Sequence, residues 1–107
     1  MSEWITIAAL DDLPQGRGMK VDVGDHRIAL FRIEDKVYAI GDTCSHAEAS
    51  LAEGEVFGVE VECPRHGAVF DLASGEARTL PATAPVPSYQ TKVEDGILLL
   101  LLPEDAL

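Results

Sequence analysis

Two short segments restrict this chain more than anything else in it: Cys44-Ser45-His46 and Cys63-Pro64-Arg65-His66-Gly67, which together give the pattern C-x-H-x16-C-x2-H. They hold both cysteines and two of the three histidines. Each offers one soft thiolate and one imidazole, so two such loops facing each other supply two sulfur and two nitrogen donors. That set suits zinc or an iron–sulfur cluster. A disulfide would leave the matched histidine spacing without a reason, and an intracellular chain disfavours one. A tetrahedral Cys2His2 zinc site is the serious competitor, although the common zinc order groups two cysteines and then two histidines, whereas here they alternate. His26 stands between Asp25 and Arg27, outside both motifs, and reads as a solvated surface histidine.

The frame that carries these loops reads as β throughout. Trp4 to Ile7 is strand-like, and Asp11 to Gly16 is a loop. Met19 to Val23 and Arg27 to Ile33 flank Gly24-Asp25, a hairpin signal, and Glu34-Asp35-Lys36 turns the chain into Val37 to Ile40. Val59 to Cys63 alternates, which puts Cys63 on the apolar face at a strand end. Gln90 to Val93 and Ile97 to Leu102 flank Glu94-Asp95-Gly96, a second hairpin, and the all-apolar last strand is expected to be buried on both faces. Only Ala47 to Glu53 is helix-friendly, for one or two turns. Short strands at this spacing make an antiparallel β-sandwich or barrel. Two loops on such a sheet, one after Gly41-Asp42-Thr43 and one at the end of a strand, are placed to clamp a metal group between them. In the second loop Pro64 fixes φ and removes a donor, while Gly67 permits a positive φ or close backbone approach.

Composition narrows the partners. At 107 residues the chain is one domain, 1–107, with a modest core. A formal charge of −11 argues against nucleic acid or an anionic membrane surface, and favours docking on proteins with a basic patch. No basic leader precedes Asp11-Asp12, and the longest apolar run, Ile97 to Leu102, is too short to span a bilayer. A cytoplasmic protein is expected.

The two-loop motif, with Pro64 and Gly67, resembles that of Rieske [2Fe–2S] proteins, and the likeness covers essentially the whole chain. It implies an all-β Rieske fold with a small cluster-binding subdomain over about residues 41–87, and one [2Fe–2S] cluster per chain. The implied ligands are Cys44 and Cys63 on one iron, and His46 and His66 on the other. The stiff segment Leu80 to Pro87 looks like the proline-bearing loop that covers the cluster from a third side in this family; otherwise it is an ordinary connection. Histidine ligation makes the cluster less negative and easier to reduce than an all-cysteine one. It also leaves each imidazole a second nitrogen that can lose a proton, which ties the potential to pH at the alkaline end.

Departures from the respiratory members of that family matter equally. Their cluster loops carry two further cysteines that form a disulfide; the matching positions here are Ala49 and Arg65. Where they place a serine and a tyrosine hydroxyl near the sulfurs, this chain has Ala68 and Phe70. The resemblance therefore implies a potential near the low end of the Rieske span, roughly −150 mV rather than +300 mV. What remains is similar to the small ferredoxins of bacterial multicomponent, aromatic-ring-hydroxylating dioxygenases, helped by Leu51 to Gly54 and Phe70 to Glu76. The implied job is to take one electron from a flavoprotein ferredoxin reductase and deliver it to a terminal oxygenase by transient docking. Ala47, Ala49, Pro64, Arg65, Gly67 and Pro85 are the candidates for the docking patch, although Arg65 reads equally well as a solvated loop arginine. Such a chain is a carrier, not a catalyst: only His26 is unspent, so it cannot build an oxygenase's second iron site. The alternatives are the small electron-transfer subunit of an NAD(P)H nitrite reductase and, on another footing, a zinc-stapled binding module, which would be colourless and redox-silent.

Overall fold

Alternating segments broken by glycine-bearing turns become strands, and nine of them run through residues 3–44, 49–65, 67–79 and 84–102, which the computed structural model describes. They are β1 (Glu3–Ala9), β2 (Gly18–Val23), β3 (His26–Ile33), β4 (Lys36–Gly41), β5 (Glu55–Phe57), β6 (Glu60–Glu62), β7 (Val69–Asp71), β8 (Ser88–Glu94) and β9 (Ile97–Leu102). Both expected hairpins form. Val23 pairs with His26 across Gly24-Asp25, with Gly24 at φ +59; Glu94 pairs with Ile97 across Asp95 and Gly96, at φ +52 and +75. Positive φ in these two-residue loops matches the twist of the strands they join.

Among the described residues the nine strands pair antiparallel, and Gln15 and Arg32 form an isolated parallel bridge. Six strands form one sheet in the order β1-β9-β8-β4-β3-β2, and a separate three-stranded sheet runs β5-β6-β7. The fold is all-β, with short 3-10 turns at Leu10–Asp12 and Leu51–Glu53 among the described residues. The helix-friendly stretch delivers only the second of these turns; its residues 47 and 48 lie outside the described set.

β3 is the wall between two cores. Ile28, Ala29, Leu30 and Phe31 are all fully buried, and their side chains alternate between two clusters. Ile28 and Leu30 pack with Val37, Ala39, Leu98, Leu100 and Leu102. Ala29 and Phe31 face the other way, against Ile40, Leu51, Val61, Phe70, Leu72 and both cysteines. Four consecutive buried residues thus obey the period of two, with apolar surroundings on each side. The last strand is less completely buried than its composition suggests: Leu98, Leu100 and Leu102 are buried, while Ile97, Leu99 and Leu101 are half-buried. Their outer face is screened by neighbours. Leu99 lies between Thr6 and Lys92, Leu101 between Trp4 and Gln90, and the Lys92 ammonium sits 4.3 Å from the Trp4 ring centre. A lysine stem laid over an aromatic ring covers apolar surface while its charge stays in water.

Phe31 is the largest fully buried side chain that the main sheet contributes to the core shared with the small one, so Phe31→Ala should remove about 3–5 kcal/mol of stability. Urea denaturation checks this; a loss below about 1 kcal/mol would mean the two sheets do not depend on that contact.

Candidate metal centre

Cys44 follows β4 after two residues, and Cys63 directly follows β6. The two cysteines use their backbones in the same way. The Cys44 amide donates to the Ala49 carbonyl at 3.0 Å, and the Cys63 amide donates to the Ala68 carbonyl at 2.7 Å. Each cysteine therefore opens a six-residue loop closed at its base by an amide–carbonyl bond: Cys44-Ser45-His46-Ala47-Glu48-Ala49, and Cys63-Pro64-Arg65-His66-Gly67-Ala68. Both cysteines are buried, at 4% and 1% exposure, in the same core cluster and outside any disulfide. Two apolar-packed thiols at equivalent positions of two pinched loops are half of the donor set that a soft-metal site would need.

The loop bases are anchored by neighbouring backbone. On the first, Thr43 bridges Ser50, and the Leu51 amide donates to the Asp42 carbonyl at 2.6 Å. On the second, the Gly67 amide donates to the Cys63 carbonyl at 3.0 Å with Gly67 at φ +75, the left-handed conformation that its lack of a Cβ makes easy. Of the predicted ligands, the structure brings Cys44 and Cys63 into one core; His46 and His66 lie outside the described residues, as does Ala47. Among the described residues no group of three or more metal-ligating side chains gathers. Of the docking candidates, Pro64, Arg65, Gly67 and Pro85 are exposed and Ala49 is half-buried. Ala68 and Phe70 are wholly buried beside the cysteines, and neither side chain carries a donor.

A third segment reaches the same core through Val86. Its amide donates to the Gly75 carbonyl at 2.9 Å, and the Pro87 carbonyl accepts from the Gly41 amide at 2.8 Å. Gly75 has φ +78, and a Cβ there would collide with the Val86 carbonyl; one on Gly41 would lie 2.8 Å from Pro87 Cδ. These two glycines let Val86 and Pro87 lie close against the turn at Gly75 and the end of β4. Leu80 to Thr83, the rest of the proline-rich stretch, fall outside the described residues.

Asp71 holds the turn that presents Gly75. Its Oδ2 accepts from the Ser74 amide at 2.9 Å and hydroxyl at 2.8 Å, its carbonyl accepts from the Gly75 amide at 2.8 Å, and the Arg78 guanidinium approaches Oδ1 to 3.6 Å. Burial pushes the Asp71 carboxyl up, yet the Ser74 bonds and the Arg78 charge outweigh it and hold the pKa below the ordinary 3.8. Sequence reasoning passed over Asp71 and Asp42. For Asp71 the signal available was an acid three residues before turn-forming Ser74; Asp42 meets Ser50 across eight residues, a spacing that no local turn pattern announces. It also misread His26, which is half-buried: its Nδ1 and the Tyr89 hydroxyl share a hydrogen bond of 2.9 Å, with the rings edge-on at 5.7 Å. The start of β3 meets Tyr89 on β8 across β4, which no local pattern announces.

Three comparisons bear on the site. The family profile described as Rieske [2Fe-2S] domain matches residues 3–90. The 3-phenylpropionate/cinnamic acid dioxygenase ferredoxin subunit of Escherichia coli (strain K12) is 44% identical over 94 residues, 87% of this chain and 88% of that protein. Among solved structures, the complex of reduced oxygenase and oxidized ferredoxin in carbazole 1,9a-dioxygenase contains a chain matching at TM-score 0.84 and 35% identity over 91% of each. A Mycobacterium tuberculosis protein described as the small subunit of an NADH-dependent nitrite reductase matches at TM-score 0.85 and 29% identity, over 96% of this chain and 97% of its own.

Because the folded pKa of Asp71 lies below its unfolded value, its carboxylate stabilises the fold above the unfolded value. That contribution disappears as pH falls through the folded one. Asp71→Asn should therefore lower the melting temperature at pH 7, and the gap to the parent protein should close as pH drops below about 3.8. Thermal melts across pH 7 to 3 test this; a gap that stays constant rules out the carboxylate charge as its source.

Proposed function

The chain belongs to the Rieske [2Fe–2S] domain family, and on that premise we propose that it is the ferredoxin component of a ring-hydroxylating dioxygenase system, taking one electron from a flavoprotein reductase and passing it to a terminal non-heme iron oxygenase. It is an electron-transfer component and not itself the catalyst. We take residues 1–107 as one domain, with its cluster-binding part over about 41–87.

The cofactor is a Rieske [2Fe–2S] cluster. When bound, it supplies a one-electron couple whose potential is raised by imidazole in place of thiolate on one iron. We assign Cys44 and Cys63 as its sulfur ligands and His46 and His66 as its nitrogen ligands. The observation that carries the reading is the matched pair of pinched loops, each opened by a buried cysteine outside any disulfide. That donor set fits the group in chemistry and in burial. The chain's own residues do three things for it. The backbone clasps at Ala49 and Ala68 hold the loops in place. Phe31, Leu51, Phe70 and Val86 exclude water from the thiol side. Exposed Pro64, Arg65, Gly67 and Pro85, with Ala47 and Ala49, provide a shallow patch for partners that must leave after each electron. We place its action in the cytoplasm, where thiols are kept reduced. Among the described residues no helix is long and apolar enough to cross a membrane.

The nitrite reductase alternative rests on shared fold at 29% identity, against 44% for the dioxygenase ferredoxin subunit. A redox titration of anaerobically prepared protein, followed optically and by electron paramagnetic resonance, tests the main reading. The expected result is a coloured protein with a one-electron wave near the low end of the Rieske span, roughly −150 mV. A strongly positive potential would point to quinol-type chemistry, and a colourless, redox-silent protein to zinc. His66→Cys should lower the potential toward the all-thiolate range; an unchanged potential and spectrum would remove His66 from the ligand set.

A further inference from the structure

We propose that Asp42 is a positioning residue for the first cluster loop and that its buried charge lowers the potential of the bound cluster. The proposal rests on Cys44 being a ligand. Asp42 lies two residues before Cys44 and is only 3% exposed. Its Oδ1 accepts two hydrogen bonds from the far side of the loop, from the Ser50 hydroxyl at 2.7 Å and from the Ala52 amide at 3.0 Å. Its backbone is engaged as well: the amide donates to the Arg27 carbonyl at 2.9 Å, and the carbonyl accepts from the Leu51 amide. Asp42 thus ties the outgoing end of β4 to the returning chain at 50–52, while the Thr43–Ser50 bridge and the Cys44–Ala49 bond complete the neck. The pose of Cys44 is set by this neck from outside the metal site.

The second half of the proposal follows from charge. Among the described residues no lysine, arginine or histidine forms an ion pair with Asp42; Lys20 and Arg27 border the same surface cavity of about 310 Å³ without reaching salt-bridge distance. The carboxylate's hydrogen bonds come from neutral donors, so none of them cancels its formal negative charge. A fixed negative charge on a side chain only 3% exposed opposes the arrival of an electron nearby. Glu76 and Glu94, by contrast, are exposed and screened by water.

Asp42→Asn, Asp42→Ala and Ser50→Ala, made in the full chain and loaded anaerobically with iron and sulfide, separate the two roles. The readouts are iron per chain, the half-life of the visible cluster absorbance, and the one-electron potential at a single fixed pH. Asparagine keeps an oxygen for Ser50 and Ala52, so Asp42→Asn should retain the full cluster and show a higher potential. Asp42→Ala removes the acceptor and should lose its cluster about tenfold faster, the scale of one charge-assisted hydrogen bond. Ser50→Ala keeps the charge and should shorten the half-life without raising the potential. Should Asp42→Ala fail to fold, the other two variants still carry both tests. A potential in Asp42→Asn equal to or below the parent's overturns the electrostatic role. Parent-like half-lives in Ser50→Ala and, where it folds, Asp42→Ala overturn the positioning role. Cys44→Ser is the separate control: a spectrum and iron content left intact there would overturn the ligand assignment itself, whatever Asp42 does.

Discussion

The amide of each cysteine bonds to the carbonyl of an alanine five residues later, and the remaining architecture is arranged around keeping those two bonds in place. A six-residue loop left to itself would sample many conformations, and ordering its backbone costs on the order of 1–2 kcal/mol per residue. Closing the loop at its first and last residues, with the cysteine inside the core, moves much of that cost into folding. A metal group then meets two thiols already in position. The bonds come from the main chain, so they depend on strand ends arriving at the right places, and β4, β6 and β7 see to that.

Those strand ends are held by a shared wall. The small sheet has three strands of three residues each, too little to bury a core alone. It completes itself against Ala29, Phe31 and Ile40 on one face of the main sheet, while Ile28, Leu30 and Ala39 on the opposite face bind the barrel-like half. The two cores therefore share β3, and the cysteines pack in the one that its Ala29 and Phe31 face.

Much of this was legible in the residues, and the gaps have physical reasons. The long strands β2, β3, β4, β8 and β9 announced themselves because turns with Gly24, Asp35 and Gly96 separate runs long enough to show a pattern. The two cysteines that share a core stood out because cysteine is rare here and its spacing to histidine is distinctive. The strands at Glu55–Phe57 and Val69–Asp71 were not, since three residues cannot display a period. His26 was misjudged because its partner, Tyr89, is 63 residues away and is brought close only by sheet order. Asp42 and Asp71 look like ordinary solvating acids in a chain of nineteen; only burial and the Ser50 and Ser74 hydroxyls set them apart.

A consequence of building the site from main-chain bonds is that stability and redox tuning become separable. The clasps at Ala49 and Ala68, the Gly75–Val86 bond and the Gly41–Pro87 bond leave the side chains facing the thiols free to differ. Ala68 and Phe70 occupy fully buried places where a hydroxyl would add a donor, and here they add only packing. Apolar neighbours stabilise the core by excluding water but offer no bond to a sulfur that gains negative charge, which leaves reduction less favoured. Asp42 acts in the same direction through its charge while its oxygen secures a loop. On the proposed reading a low potential would come with a well-filled core, and raising it would require polar groups that the core would have to accommodate.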